Sequence, residues 1–225
     1  ASVCASRLGL NVALVSNLGT DRNGDECIDV LKTENISTKW VDKHTDKETN
    51  YHYVLWFEDD RTILIKHHDY DRHFPDIGNP KWVYLSSIGK NTEKYHNEIA
   101  DYLEIRPDIK VAFQPGTYQI ALGASHLQRL YKGAELVAVN RKEAGLILKT
   151  ENDDIRSLLR GLRNLGPKLA LITDGIKGAF LSVEDKEYFI PIFADPKPAY
   201  ERTGAGDSFS STFVSALAFG KTPLE

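Results

Sequence analysis

Short runs of consecutive apolar residues alternate along this chain with segments in which apolar residues recur at helical spacing. The runs lie at residues 12–15, 82–85, 111–113, 136–139 and 169–173. A run without interspersed polar residues is typical of a strand buried on both faces, and a helix between two such strands connects them in parallel. The sequence therefore predicts an α/β fold with a doubly wound, mostly parallel sheet sandwiched by helices.

Two segments break this alternation. Residues 49–57 and 62–66 are rich in aromatic and β-branched side chains and flank the polar residues 58–61, a pattern typical of a β-hairpin. Because no helical segment accompanies this hairpin, residues 37–69 are predicted to form a small β lid within the domain. The alternative is an edge hairpin packed on the body of the sheet. A second hairpin, at a sheet edge, is predicted at residues 179–190.

Composition narrows the classes of function. The chain has 225 residues, of which 41% are hydrophobic and 27% charged, as expected for one α/β domain covering residues 1–225. A net charge of -4 provides no positive field that would attract a nucleic acid. No apolar run approaches the roughly 20 residues needed to span a bilayer. Cys4 and Cys27 are isolated, which fits neither a disulfide framework nor a zinc site. We expect a soluble, cytoplasmic protein without nucleic-acid or membrane partners.

The segment most informative about chemistry is Thr203-Gly204-Ala205-Gly206-Asp207, which leads into an apolar helical pattern. Small residues allow a ligand to approach the backbone, and the first N–H groups of a helix have no acceptor within the helix. Together with the helix dipole they form an anion hole that suits a phosphate group. Asp207, in the first turn, could then accept the proton of an attacking hydroxyl. The alternative is a tight turn in which Asp207 only caps the helix.

This segment resembles the second signature of the ribokinase-like (PfkB) carbohydrate kinases, usually written D-T-x-G-A-G-D-x-F. The resemblance implies that Asp207 is the catalytic base and that Gly204, Ala205 and Gly206 form the anion hole. It also implies a sugar kinase that transfers the γ-phosphoryl group of ATP, with Mg²⁺, to a hydroxymethyl hydroxyl. A nucleoside kinase of the same family and a non-catalytic pseudo-kinase that binds sugar or nucleotide are the alternatives. A Rossmann dehydrogenase is disfavoured, because no G-x-G-x-x-G follows the first strand.

Two further segments resemble elements of this family. Asn140 and Glu143 match an N-x-x-E element, which implies that Glu143 holds Mg²⁺ through water, as suits an ion that keeps several waters. Residues 173–179 look like the T-x-G-x-x-G-A turn that borders the nucleotide. By their residue types alone, these segments would be a helix cap and an ordinary glycine-rich turn. The residues that the resemblance assigns to the nucleotide are Asn140, Thr173, Gly175, Gly178 and Thr203.

The chain departs from the family pattern at two places. Gln114 stands before a Pro where the family usually has an Asn near the phosphates, and its side chain is longer by one methylene. Glu201-Arg202 stands where Asp-Thr is usual. The acid at that position often helps to hold a potassium ion, so the resemblance implies a monovalent-cation site at Glu201. No role is predicted for Arg202.

The resemblance also leads to expectations about the chain ends and about assembly. Residues 7–9 and 19–24 resemble the tail of the family's first signature. The first strand, with its substrate-binding Asp, is expected to precede Ala1, and the helices that wall the adenine are expected to follow Glu225. The lid of one subunit pairs with the lid of another in parts of this family, so a homodimer through the lid is a further hypothesis.

Overall fold

The computed structural model of the chain describes residues 1–57, 60–194 and 203–225. It divides into two compact units, one of residues 2–77 and one of residues 78–225 together with Ala1. In the described part of the chain, no helix is both long and apolar enough to cross a membrane.

The smaller unit contains two pairs of strands and two helices. Its elements are α1 (Ser2–Arg7), β1 (Val12–Gly19), α2 (Arg22–Thr33), β2 (Ile36–His44), β3 (Tyr51–Phe57) and β4 (Asp60–Lys66). The β1 and β2 strands pair in parallel, and β3 and β4 form the antiparallel hairpin predicted from the sequence. Within the predicted lid segment, β2 therefore pairs with β1, and the hairpin is confined to β3 and β4. The lid function of residues 37–69 stays a prediction.

Asp21 fixes the start of α2 in the smaller unit. Its Oδ1 accepts hydrogen bonds from the Gly24 amide at 2.9 Å and from the Thr49 hydroxyl at 2.6 Å, and its Oδ2 accepts one from the Thr49 amide at 3.0 Å. These bonds favour the ionised carboxylate and lower the pKa of Asp21 to about 2, the hydroxyl of Thr49 contributing most. Asp21 thus caps the helix and ties it to the segment that precedes β3.

The larger unit is built around a six-stranded sheet. Its elements are β5 (Trp82–Leu85), α3 (Glu93–Glu104), β6 (Lys110–Phe113), α4 (Thr117–Leu122), α5 (Gln128–Gly133), β7 (Leu136–Asn140), α6 (Arg141–Leu148), α7 (Ile155–Asn164), β8 (Leu169–Thr173), β9 (Ala179–Val183), β10 (Lys186–Ile190) and α8 (Ala205–Ala218). The strand order is β10-β9-β8-β7-β6-β5. The strands from β5 to β8 are parallel, and β9 and β10 are antiparallel additions at one edge.

Both faces of this sheet are buried. Ala138 and Leu171 point to one face, where they join a hydrophobic cluster with Val214 of α8. Val139 and Ile172 alternate with them, so they point to the opposite face, and they are also buried. On the same sheet, α6 and α7 pack against the strands from β7 to β9. The predicted mostly parallel α/β sandwich is therefore confirmed.

A buried polar network joins the loops that follow β5 and β6. The side-chain oxygen of Gln119 accepts hydrogen bonds from the amides of Gly116 at 2.8 Å and Ile88 at 3.3 Å, and its nitrogen lies 3.1 Å from His96 Nε2. His96 Nδ1 lies 2.7 Å from the carbonyl oxygen of Thr92. Burial lowers the pKa of His96, so the neutral ring donates from Nδ1 and accepts at Nε2. The network holds the two loops in place at the carboxyl ends of their strands.

Candidate active site

Two predicted site residues and Gln114 lie at the carboxyl ends of neighbouring parallel strands. Gln114 follows β6, Asn140 ends β7 and Thr173 ends β8. Asn140 and Thr173 are direct neighbours in the strand register. Because the strands are parallel and adjacent, their ends meet at one edge of the sheet, where open α/β sheets bind ligands.

The N-terminus of α8 presents open backbone. Gly204 caps the helix in the left-handed conformation, with φ of 80°, and the first bond of the helix runs from the Ser208 amide to its carbonyl oxygen at 2.8 Å. The amides of residues 205–207 precede that bond, as the first N–H groups of a helix do. Among the described residues, a Cβ built at Gly204 or Gly206 would meet no other atom within 4 Å. Their packing therefore does not require glycine at Gly206, and an anion could approach these amides from the open side.

Asp207 is the third residue of α8, and its side chain is exposed beside these amides. Its Oδ1 accepts a hydrogen bond from Gln114 Nε2 at 2.8 Å, across 93 residues of sequence. The hydroxyl of Tyr84, on β5, donates in turn to Gln114 Oε1. The structure thus joins Gln114 to the predicted base. Tyr84 was not predicted as a site residue. In the sequence it is marked only by its hydroxyl group within a short apolar strand.

Asn140 and Glu143 form a reciprocal cap at the start of α6. The Glu143 amide donates to Asn140 Oδ1 at 2.8 Å, and the Asn140 amide donates to Glu143 Oε2 at 2.9 Å. Burial raises the pKa of Glu143, and the negative charge of Asp207 raises it further. The geometry of the helix cap suggested by the residue types is thus present, and it holds Glu143 within electrostatic reach of Asp207.

The carboxylate of Glu143 has the chemistry to bind a hydrated divalent cation. An ionised carboxylate has about four lone-pair sites, so Glu143 can accept from water as well as from the Asn140 amide. Mg²⁺ keeps several of its waters and uses only one or two protein carboxylates. A cation there would also offset the repulsion between Glu143 and Asp207.

The turn after β8 contains two glycines that were predicted to bind the nucleotide, and their backbones are constrained differently. Gly175 has a φ of 55° and a Cβ there would meet nothing within 4 Å. Gly178 has a φ of 91°, and a Cβ there would lie 2.4 Å from the carbonyl oxygen of Ile190. Close packing against β10 thus accounts for glycine at Gly178, and its contact with a nucleotide stays a prediction. Asp174, in the same turn, accepts from Arg141 Nη1 at 2.8 Å.

The remaining predicted residues lie at or beyond the limits of the described chain. Thr203 is exposed and directly precedes the Gly204 cap. Glu201, predicted to bind a monovalent cation, and Arg202 lie outside the described residues. Among the residues that are described, no group of three or more His, Cys, Asp or Glu side chains is arranged to hold a metal ion.

A cleft of about 660 Å³ lies near this site but is not lined by it. Its walls come from α6 and the segment after it, and they include Arg141, Lys149 and Asp174. Neither Glu143 nor Asp207 lines this cleft. The polar groups at the strand ends and at the start of α8 therefore mark the candidate active site better than this cleft does.

Comparison with known proteins places the chain in a family. The family described as pfkB family carbohydrate kinase matches residues 1–225. A nucleoside kinase of Methanothermobacter thermautotrophicus is 26% identical over 223 residues, which cover 97% of this chain and 70% of that protein. A ribokinase of Bacillus subtilis is 25% identical over 226 residues, 98% of this chain and 72% of that protein.

Solved structures show the same fold. The structure of Arabidopsis thaliana ribokinase complexed with ribose and ATP has a TM-score of 0.81 and 20% sequence identity, covering 99% of this chain and 74% of that one. The nucleoside kinase of Methanocaldococcus jannaschii has a TM-score of 0.78 and 20% identity, covering 99% and 72%. The similarity extends over both units described above. The chain belongs to the pfkB family of carbohydrate kinases, which are ATP-dependent phosphotransferases.

Proposed function

We propose that this protein transfers the γ-phosphoryl group of ATP to a hydroxymethyl hydroxyl of a sugar, with Asp207 as the general base. The observation that carries the proposal is the position of Asp207 in the first turn of α8, beside the open amides at the start of that helix. Asp207 takes the proton of the acceptor hydroxyl. The oxygen of that hydroxyl bonds to the γ-phosphorus while the bond between the γ-phosphorus and the ADP oxygen breaks. The amides of Ala205 and Gly206 and the helix dipole stabilise the charge on the transferring group.

The nucleotide lies, in this proposal, at the edge formed by the ends of β7 and β8. Asn140 and Thr173 are neighbours there, and Gly175 adds a backbone without a side chain. Gly178 and Thr203 complete the set assigned by the family motifs. Support comes from the Arabidopsis ribokinase, which has this fold and was solved with ribose and ATP.

Glu143 orients Mg²⁺ through water in this proposal, and Glu201 contributes to a potassium site. Support for the magnesium role comes from the burial of Glu143 and its interaction with the charge of Asp207. When bound, Mg²⁺ neutralises phosphate charge and keeps the ATP tail in position for transfer. The potassium site rests on the sequence motif alone.

Replacing Glu143 with Gln tests the magnesium role without removing the helix cap. Gln is favoured at this position of a capping box, so Glu143→Gln is expected to leave the melting temperature nearly unchanged. The loss of the negative charge is expected to raise the Mg²⁺ concentration for half-maximal activity by roughly 10-fold, from the affinity losses typical when groups that orient a metal are changed. Magnesium titrations of ADP release by wild type and variant measure this. An unchanged titration midpoint would contradict the assignment.

A nucleoside is the alternative acceptor, and the names of two relatives support it. The Methanothermobacter relative is named a nucleoside kinase and the Bacillus relative a ribokinase, at nearly equal identity. Assays of ADP release across pentoses, hexoses and nucleosides separate the two acceptors, because a kinase selects by contacts with the whole acceptor. Consumption of nucleosides alone would replace the sugar in the proposal. Nucleotide binding without transfer to any of them would favour a pseudo-kinase.

We also propose that the β3–β4 hairpin pairs with a second copy of this chain. Both of its faces carry exposed apolar side chains, and a two-stranded hairpin cannot bury either face by itself. Their exposed fractions are Tyr53 62%, Val54 39%, Leu55 55%, Ile63 42%, Leu64 50% and Ile65 49%.

A cytoplasmic location, where ATP and Mg²⁺ are present, remains a further expectation from the sequence.

Sedimentation of the protein and of its Leu64→Lys variant tests this pairing. Wild type is expected to sediment as a dimer and the variant as a monomer, because a charged side chain at an apolar interface must lose its water. Ile105 is 74% exposed and follows α3, so Ile105→Lys is the matched control and should remain dimeric. A wild-type protein that is monomeric at every concentration would contradict the proposal.

A further inference from the structure

Gln114 bridges two side chains from different parts of the sheet unit. Its Nε2 lies 2.8 Å from Asp207 Oδ1 on α8, and its Oε1 accepts from the hydroxyl of Tyr84 on β5. Tyr84 lies 30 residues before Gln114 and Asp207 lies 93 residues after it. The amide therefore connects the third residue of α8 to a strand of the sheet.

Donor and acceptor capacities determine the direction of both bonds. An ionised carboxylate can only accept hydrogen bonds, so the NH₂ group of Gln114 must face Asp207. The amide oxygen then faces Tyr84, whose hydroxyl can donate. A reversed amide would place an oxygen against the carboxylate and lose the bond to Asp207, whereas the Tyr84 hydroxyl could accept from the NH₂ group instead. The carboxylate of Asp207 thus fixes which end of the Gln114 amide faces it, and the hydroxyl of Tyr84 holds the other end.

We propose that Gln114, held in place by Tyr84, is the positioning residue for Asp207 in phosphoryl transfer. The inference rests on the proposed function of Asp207 as the base. The bond to Oδ1 restricts rotation of the carboxylate and leaves Oδ2 to accept the proton of the acceptor hydroxyl. The Gln114 amide is neutral, so it adds no positive charge that would compete for the phosphate.

The length of the side chain is part of the inference. Shortening Gln114 to Asn withdraws the amide by about 1.5 Å, the length of one carbon–carbon bond. A bond of 2.8 Å to Asp207 would then exceed the range of a hydrogen bond unless the loop moved. The departure from the usual Asn at this position thus gives the base a neutral partner that reaches it.

Three substitutions test the role of Gln114, each measured as kcat, KM for ATP and the pH dependence of kcat. Gln114→Leu removes both bonds and is expected to lower kcat roughly 10-fold or more, the effect of losing a hydrogen bond to a charged group, with KM within about 2-fold. Gln114→Glu places a second carboxylate beside the base, so the acidic limb of the pH profile should move to higher pH. Tyr84→Phe, which releases the amide oxygen of Gln114 and leaves the bond to Asp207, should lower kcat less than Gln114→Leu does.

Among the described residues, two other ionisable groups belong to the same cluster, and they must be considered in the pH profiles. Glu143 on α6 interacts with the charge of Asp207, and Tyr84 is one hydrogen bond further away. Neither is altered in Gln114→Glu, so a shift of the acidic limb between that variant and wild type reports the change at Gln114. Gln128 is exposed on α5, so Gln128→Leu is the matched control and should leave kcat and the profile unchanged.

The outcomes separate this inference from the proposed function. If Asp207→Asn is inactive while Gln114→Leu and Gln114→Glu keep the kcat and pH profile of wild type, Asp207 is the base and Gln114 does not position it. If Asp207→Asn retains full activity, the proposed base itself is wrong and the inference falls with it. A lower kcat in Gln114→Leu together with the shifted profile in Gln114→Glu supports the positioning role.

Discussion

Replacing Asp207 with Asn is expected to lower kcat for phosphoryl transfer by roughly 100-fold or more. Asn has nearly the same shape and can still accept the hydrogen bond from Gln114 Nε2, so the geometry at the start of α8 should persist. It cannot take the proton of the acceptor hydroxyl, and that loss acts on the chemical step. Affinity for ATP is expected to stay within about 2-fold, because the base bonds to the acceptor rather than to the nucleotide.

Rates of ADP release and calorimetric ATP binding measure the two quantities separately. Asp185, in the turn between β9 and β10, provides the matched control, and Asp185→Asn should change neither. Wild-type turnover in Asp207→Asn would contradict the assignment of the base. A loss of ATP binding together with activity would instead indicate that Asp207 serves the nucleotide.

Replacing Gly206 with Ala is expected to lower the activity without lowering the stability. A Cβ at Gly206 meets no atom of the described residues within 4 Å, and alanine is the better helix former by up to about 1 kcal/mol. The variant should therefore be as stable as wild type or slightly more stable. The added methyl group occupies the space where the proposal puts the transferring phosphoryl group, so kcat should fall by roughly 10- to 100-fold.

Thermal melts and ADP release measure the two effects of Gly206→Ala. The same substitution at Gly133, the last residue of α5, is the control, since a Cβ there also meets nothing within 4 Å. Gly133→Ala should keep full activity. Unchanged activity in Gly206→Ala would show that no ligand approaches this backbone.

Much of the larger unit could be predicted from the sequence because its strands are buried on both faces. The runs at residues 82–85 and 169–173 match β5 and β8, and the hairpin at residues 179–190 is present as β9 and β10. The α7 helix was not predicted, although Leu158, Leu159 and Leu162 line its buried face. Its apolar residues are separated by arginines and a glycine, which interrupt the pattern without preventing one face from packing.

The pairing of the strands was harder to predict from the sequence. An apolar run at residues 12–15 predicted a strand but not its partner, and β1 pairs with β2 rather than with a strand of the six-stranded sheet in the described structure. The β2 strand alternates polar and apolar residues and lies in the segment assigned to a lid. Periodicity indicates which faces are buried, but the partner of a parallel strand depends on the path of the whole chain.

The candidate site shows the same limit. The helix start at Gly204 and the cap formed by Asn140 and Glu143 are local, and local patterns predicted them. The hydrogen bond between Gln114 and Asp207 joins residues far apart in sequence, and it depends on the order of strands and on where α8 packs. A sequence can suggest that both residues serve the phosphates, but only the fold shows that they contact each other.

Nuclear magnetic resonance of the product shows whether the γ-phosphoryl group has been transferred to a hydroxymethyl oxygen. The protein is incubated with ATP, Mg²⁺ and the acceptor that gives ADP release, and the product is examined by phosphorus–proton correlation. We predict one new phosphomonoester whose phosphorus couples to two methylene protons, formed in equal amount with ADP. Release of inorganic phosphate without a phosphorylated acceptor, or nucleotide binding without any transfer, would contradict the proposed transfer.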